Sequence, residues 1–410
     1  MSGRSTMKIV INAASAKMGG AVTYLTNLLR HVPPPESGHE FLVLLPPGTA
    51  EAQKNLAPNI KLFPSPVGSA GLWKRIWWSQ VTLRSFLKRQ RADVLFSSAN
   101  FGMFFCPIRQ VLLIQNLLYV SDTYQRMFLP RHRLRKKINF RLRRRLLRWS
   151  AQAADVVMTP TEAAMEALRH YVELPASKAL SNPYGVSGAD GGLDGPPEKR
   201  ERPRSCEEPT VVLLFPSLYA EHKNLGTLLK ALPLLNGSGR RKFFLRTTAA
   251  PNWMNWAVTF KDDLALAQSP DVAPRVEFIG PLGREQTLET YRHADILVFP
   301  SLVESFGYPM VEAMAAGLPI VASDTATNRE ICAEAAVYFR PISPEDLAHQ
   351  IRQLAADGSL QAKLGAAGRE RAATHFRWEE HVRRLLARVG APSPKVVASD
   401  RAAPKPLSCR

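Results

Sequence analysis

Cysteine is scarce in this chain. There are four in 410 residues, Cys106, Cys206, Cys332 and Cys409, far apart and outside any Cys-x-x-Cys or Cys/His cluster. That spacing supports neither a disulfide framework nor a zinc site, so no metal is expected and a reducing cytosol is the simplest compartment. Long apolar runs are missing too, and none approaches the ~18 residues a membrane-spanning helix needs. The opening MSGRSTMKIVINAAS starts a strand almost at once and lacks the apolar core of a signal peptide. Acids are in short supply: 35 Asp+Glu face 54 Lys+Arg, a net +19. From Arg126 to Trp149, RMFLPRHRLRKKINFRLRRRLLRW, eleven Lys/Arg stand with no acid among them. Such asymmetry points to an anionic partner, either nucleic acid or an acidic membrane surface.

What is present is an ordinary globular composition, 45% hydrophobic and 22% charged, long enough for two domains. Short β-branched runs alternate with longer helical patterns, the mark of βαβ units and parallel sheets. The strands KIVINA, EFLVLL, DVLFSS, RQVLLI and DVVMTP fall in the first half. TVVLLFPS, KFFLRTT, RVEFIG, DILVFPS and PIVASD fall in the second. Between the two series, SGADGGLDGPPEKRERPRSCEEP (187–209) has no periodicity and reads as a linker. The expected organisation is an α/β chain of two doubly wound domains, 7–186 and 210–375, facing a cleft. A C-terminal helix at 376–388 is a candidate to pack back on the first domain, and a disordered tail is expected at 391–410.

Three strand-to-helix junctions could carry chemistry. In KMGGAVTYLTNLL, Gly19 and Gly20 open a helix, so backbone N–H groups can approach an anion; the alternative is a plain tight turn. In FPSLYAEHKNLGTLL, Lys223 follows His222 at a helix start and suits a diphosphate, or is a solvated surface lysine. In SLVESFGYPMVEAM, two glutamates eight positions apart flank Ser-Phe-Gly-Tyr-Pro. Pro309 belongs in a first helical turn, so the helix should begin near Phe306–Pro309, with Glu304 in the loop and Glu312 one or two turns in. The N–H groups of Phe306, Gly307 and Tyr308 would point out of that start. Glutamates accept well from vicinal hydroxyls; alternatively, these two are surface acids on a helix.

In context the third junction decides between these readings. GPLGREQTLETYRHADILVFPSLVESFGYPMVEAMAAGLPIVASD (Gly280–Asp324) resembles the nucleotide-sugar-binding core of glycosyltransferase family 4, the group 1 retaining enzymes of the GT-B fold. HKNLGTLLKAL and KMGGAVTYLTNLL resemble the family's other stretches, and the likeness runs from about Lys8 to Arg388. The resemblance implies that Glu312 holds the ribose hydroxyls of a nucleotide-diphosphate sugar and Glu304 the hydroxyls of the transferred hexose. Phe306, Gly307 and Tyr308 would help, and Lys223 would neutralise the leaving diphosphate opposite Gly19 and Gly20. It implies no cofactor and no metal, with retention by same-face attack. The departing phosphate takes the acceptor's proton.

The chain departs from the family pattern in three places. No arginine precedes Lys223, and His222 is the candidate substitute. Gln115 and Asn116 in LLIQNLLYVSD stand where a histidine is usual on the acceptor and sugar side; amides hydrogen-bond sugars but are not bases at neutral pH. The run after Ser323-Asp324 is TATNRE rather than glycine-rich, with Glu330 as a pocket candidate.

In the basic segment, Leu134, Ile138, Leu142, Leu146 and Trp149 follow helical steps and read as the packed face. Phe140 and Leu147 lie opposite, among Arg135, Lys136 and Arg144, and are expected to rest on anionic lipid. GLWKRIWWSQ, with three Trp, has two readings, a part in that lipid contact or, the favoured one, ordinary core packing. The combined expectation is a peripheral, cytoplasmic glycosyltransferase with a glycan or lipid-linked acceptor in surface polysaccharide or lipopolysaccharide assembly. The alternatives are an epimerase or phosphorylase on the same fold, or a basic nucleic-acid-binding protein; no nucleic acid partner is expected.

Overall fold

The computed structural model describes residues 6–17, 19–53, 55–98, 100–186, 210–236, 241–249 and 256–390. The linker and tail read from the sequence, and residues 250–255 of the TTAAPNWMNW loop, lie outside them. Among the described residues thirteen strands form two sheets, parallel throughout. The first joins β1 (Lys8–Asn12), β2 (Glu40–Leu45), β3 (Ile60–Pro64), β4 (Val94–Ser97), β5 (Arg109–Leu113), β6 (Val156–Thr159) and β7 (Ala179–Ser181) in the order β3-β2-β1-β4-β5-β6-β7. The second joins β8 (Thr210–Phe215), β9 (Lys242–Thr247), β10 (Val276–Phe278), β11 (Ile296–Phe299), β12 (Ile320–Ser323) and β13 (Ala336–Phe339) in the order β10-β9-β8-β11-β12-β13. β4, β6, β11 and β12 are buried at every position. Continuous Val/Ile/Leu runs are what strands covered on both faces by helices require.

Strand order reverses between β1 and β4, and again between β8 and β11. Ligands in open α/β sheets sit outside the strand ends at such switch points. The loop after β1 carries Gly19 and Gly20, those after β8 and β11 carry Lys223 and Glu304, and all three meet in one cleft. β3, β7 and β13, which the sequence reading missed, are all edge strands with partly exposed, mixed residues.

The last helix, Trp378–Gly390, lies on the first domain. Its Val382, Leu385 and Val389 line one apolar cavity with Ile9, Ile11, Phe41 and Phe96. His381 meets the Tyr24 hydroxyl at 3.0 Å. No helix among the described residues is long and apolar enough to cross a membrane.

The basic helix, Leu134–Ala153, is rotated by about half a turn from the sequence expectation. Phe140 and Leu147 are buried in the cluster of Tyr124, Phe128 and Met165, so neither can rest on lipid. Of the stripe expected inside, Leu134, Ile138 and Trp149 are exposed, Leu142 is half-buried and only Leu146 is buried as expected. The buried face continues through Ser150 and Ala151, whose small side chains let the helix approach the sheet. Hydrophobicity alone missed that, because the longer Leu/Ile stripe lies opposite. Two of the basic residues also turn inward: the Arg144 guanidinium lies 4.0 Å over the Tyr171 ring, and the Lys136 ammonium 4.4 Å over Trp256 of the second domain. Arg135 stays on the surface.

Candidate active site

β8 leads into a single 3-10 turn, Glu221–Lys223, that ends on Asn224 in the left-handed conformation (φ 57°). Two bonds dock this turn against the loop that leaves β11. The Leu302 N–H donates to the His222 carbonyl at 2.9 Å, and Asn224 Nδ2 donates to the Pro300 carbonyl at 3.1 Å. They place the Lys223 ammonium directly on the Glu304 carboxylate, an ion pair with both side chains largely shielded. The Glu304 carbonyl is held by Thr327 Oγ1 at 3.1 Å, and the Ser305 carbonyl by Thr161 Oγ1 of the first domain at 3.0 Å.

The helix after this loop runs Tyr308–Ala315, with Pro309 in its first turn. Gly307 precedes it at φ 84°, a left-handed conformation that strains any residue with a Cβ, so the turn favours glycine. In the first turn Pro309 has no N–H and the Met310 N–H donates to the Gly307 carbonyl at 3.0 Å, so the donors a ligand could use are those at the entry, before Pro309. Glu312, one turn in, accepts from the buried Tyr291 hydroxyl at 2.8 Å. Burial and the adjacent Glu312 charge push the Tyr291 phenol well above its usual range, so it stays a donor. Tyr291, in the YRHAD run, carried no functional reading from sequence.

Across the cleft the helix Gly20–His31 starts from Gly19 at φ 61°. Gly19 lies against Leu218, and the position of Gly20 is 3.6 Å from the Tyr308 ring. The glycine loop therefore faces the start of the Glu312 helix. Phe306 and Tyr308 contribute their rings to an aromatic cluster that ties the domains. Tyr184 stacks on Tyr308 at 5.5 Å between centroids and meets Phe306 at 4.8 Å. Their side chains are structural, leaving only their backbone for a ligand.

Three other sequence-derived roles change. Burial, with Lys223 adding to it, pushes the His222 imidazole down to about 3, so it is neutral and cannot replace an arginine's charge. Glu330 does not point into the pocket. Its two oxygens accept from the Glu162 and Ala163 N–H groups, each at 2.7 Å, capping the first-domain helix Glu162–Arg169. Gln115 and Asn116 both donate their N–H groups to Asn100 Oδ1, at 2.7 and 2.8 Å. Gln115 Nε2 then binds the Ser98 carbonyl and Asn116 Oδ1 the Leu118 N–H, so both amides shape the loop.

The sequence reading also passed over Glu221, two residues before Lys223. It is buried, and its carboxylate accepts from the Tyr124 hydroxyl at 2.6 Å, His132 Nε2 at 2.7 Å and the Val258 N–H at 2.8 Å. Burial alone would raise this carboxyl, but those donors outweigh it and hold it below the usual range. Tyr124 and His132 come from the first domain, so the group joins the two walls of the cleft.

Comparison with known proteins agrees with this architecture. The model for glycosyl transferases group 1 matches residues 197–371, and that for glycosyltransferase family 4 matches residues 18–187, so the two together span both domains. The chain belongs to the group 1 glycosyltransferases. This family member is 30% identical over 238 residues to a D-inositol 3-phosphate glycosyltransferase of Corynebacterium diphtheriae, covering 56% of this chain and 54% of that protein. It is 30% identical over 263 residues to the Geodermatophilus obscurus protein of the same name, covering 63% and 57%. The chain thus spans about half the length of the curated relatives it matches. The fold is that of WaaG, a glycosyltransferase involved in lipopolysaccharide biosynthesis, with TM-score 0.70, 18% identity and coverage of 93% of this chain and 100% of that one. HepE of Anabaena, solved with UDP and glucose, gives TM-score 0.65 at 17% identity, covering 93% and 98%. Both likenesses show the fold, two parallel-sheet α/β domains of the GT-B type.

Proposed function

We propose that this chain transfers a hexosyl group, with retention, from a nucleotide-diphosphate sugar to a glycan or lipid-linked acceptor used in surface polysaccharide or lipopolysaccharide assembly. The observation that carries the reading is the convergence of Lys223, Glu304, the Tyr291-supported Glu312 and the glycine loop on one cleft. Glu312 takes the ribose hydroxyls and Glu304 those of the hexose. As the anomeric C–O bond breaks, charge grows on the β-phosphate, and Lys223 with the N–H groups of the two helix starts stabilises it. The acceptor oxygen attacks from the same face, and the departing phosphate oxygen takes its proton. This needs no side-chain base, which fits the amides at 115 and 116. The protein would work at the inner face of the membrane, with no cofactor and no metal. HepE's complex with UDP and glucose supports a UDP-sugar as the first donor to try.

A donor screen tests this. Thermal-shift titration with UDP- and GDP-hexoses should stabilise the chain by ~2.7 kcal/mol at a hundred times the Kd of the true donor. Full turnover by both Lys223→Ala and Glu304→Ala would overturn the site assignment.

A further inference from the structure

The charge of the chain is concentrated far more than its total suggests. From residue 52 to residue 154 there are twenty Lys/Arg and two acids, Asp93 and Asp122. The same span holds seven of the eleven large hydrophobic side chains that are exposed among the described residues: Trp73, Trp77, Val81, Phe105, Leu134, Ile138 and Trp149. Elsewhere such residues are scattered; here they are gathered on one side of one domain.

They form a connected face. The helix Leu72–Gln80 has no buried residue at all, and Trp73 and Trp77 stand one turn apart on it, 69% and 60% exposed. The expectation that this Trp-rich segment packs in the core holds only for Trp78, which lies partly buried against the cluster of Leu83 and Leu87, and fails for Trp73 and Trp77. From its last residue, Gln80 Oε1 accepts from the Phe104 N–H at 3.0 Å, and Arg84 holds the Phe105 carbonyl at 2.9 Å. Phe104 in turn meets Trp149 of the basic helix edge-on at 6.2 Å. On that helix Leu134, Ile138, Arg141, Arg145 and Arg148 follow steps of four, three, four and three, a single solvent-facing stripe about 22 Å long to Trp149. The result is aromatic and aliphatic tips interleaved with arginines, without a carboxylate between them.

We propose that this face docks on an anionic phospholipid bilayer, with Trp73, Trp77, Phe105 and Trp149 entering the interfacial region and Arg141, Arg145 and Arg148 meeting lipid phosphates. A duplex nucleic acid needs the cations but gives no use to exposed indoles away from bases, whereas the bilayer interface is where tryptophan partitions. Each basic residue near such a surface adds to the attraction, which falls off within a Debye length. The face also borders the cleft. Arg75 of the Trp helix donates to Ser15 Oγ at 2.5 Å, and Lys17 of the glycine loop to Ser69 Oγ at 2.7 Å. A lipid-borne acceptor held on this face would lie beside the donor pocket. That placement rests on the function proposed above; the docking itself does not.

Flotation with phosphatidylcholine vesicles, with and without phosphatidylglycerol, tests it. The wild-type chain should bind only the anionic vesicles, with tryptophan fluorescence quenched by brominated lipid. Trp73→Ala with Trp77→Ala should weaken binding about tenfold or more, and Arg141→Glu with Arg145→Glu further. Because these positions are exposed, melting temperature and UDP affinity should stay unchanged. No binding to anionic vesicles, unchanged binding by the tryptophan variant, or equal competition by duplex DNA would overturn the proposal. Vesicle binding without any binding of nucleotide sugar would instead leave the docking face standing and sink the transferase reading.

Discussion

The Lys223 ammonium and the Glu304 carboxylate form an ion pair inside the cleft, held by the bond from the Leu302 N–H to the His222 carbonyl. Each group is thus the other's partner, and a donor must take both: the diphosphate claims the lysine and the hexose hydroxyls claim the glutamate. Removing either leaves a different deficit. Lys223→Met should cut kcat about 10²–10³-fold, the usual effect of losing one preorganised donor to a developing oxyanion. Glu304→Gln should raise the KM for the nucleotide sugar yet leave the Kd of the free nucleoside diphosphate within twofold or so. Equal damage to nucleoside diphosphate binding by both variants would contradict the division of labour.

Tyr291 holds Glu312 through one hydroxyl at 2.8 Å. Tyr291→Phe keeps the buried ring and removes only that donor. The expected loss is about 1 kcal/mol, or roughly fivefold in nucleoside diphosphate affinity, measured by calorimetry. Melting temperature should hardly move. A large fall in stability with unchanged affinity would make Tyr291 a core residue only.

Where a residue's role depends on its own junction, the sequence was legible. Pro309 and Gly307 announce the helix start, and the strands before Lys223 and Glu304 read as buried parallel strands, so Lys223 and Glu304 could be placed on loops and Glu312 in the helix that follows. What crosses between domains was not legible. Glu330 looks like a pocket acid until the helix Glu162–Arg169 is placed opposite it, and Glu221 acquires meaning only through Tyr124 and His132. The basic helix failed for a related reason. Its hydrophobic stripe turns Leu134, Ile138 and Trp149 to solvent, while the buried side is built from Phe140, Leu146, Leu147 and small residues, a choice fixed by the neighbouring sheet rather than by periodicity.

Acid should destabilise the fold before its carboxylates titrate. Burial pushes His222 down to about 3 and His381 to about 4, against about 6.5 in an unfolded chain. Below pH 6.5 the unfolded chain takes up two protons that the folded one refuses. Stability is therefore full above that pH and falls as pH drops, by roughly 1.4 kcal/mol per unit for each histidine once well below 6.5. Denaturation at pH 7 and at pH 5 should differ accordingly. His222→Gln should remove about half of the slope. A flat profile across this window would mean that both imidazoles protonate in place.

The Glu221 group predicts how the two domains respond to a single lost charge. Its carboxylate is shielded from water and receives Tyr124, His132 and the Val258 N–H from both sides of the cleft. Truncating it to alanine leaves those donors buried and unmet, an effect of roughly 3–5 kcal/mol for a broken buried ionic group. Tyr124→Phe removes one neutral donor and should cost about 1–2 kcal/mol. Because the partners lie on different domains, the cost should appear as separation of the domains rather than melting of either sheet. Small-angle scattering of Glu221→Ala should show a larger radius of gyration with an unchanged far-UV spectrum. A compact variant with a lost spectrum would instead place Glu221 in the folding of the second domain alone.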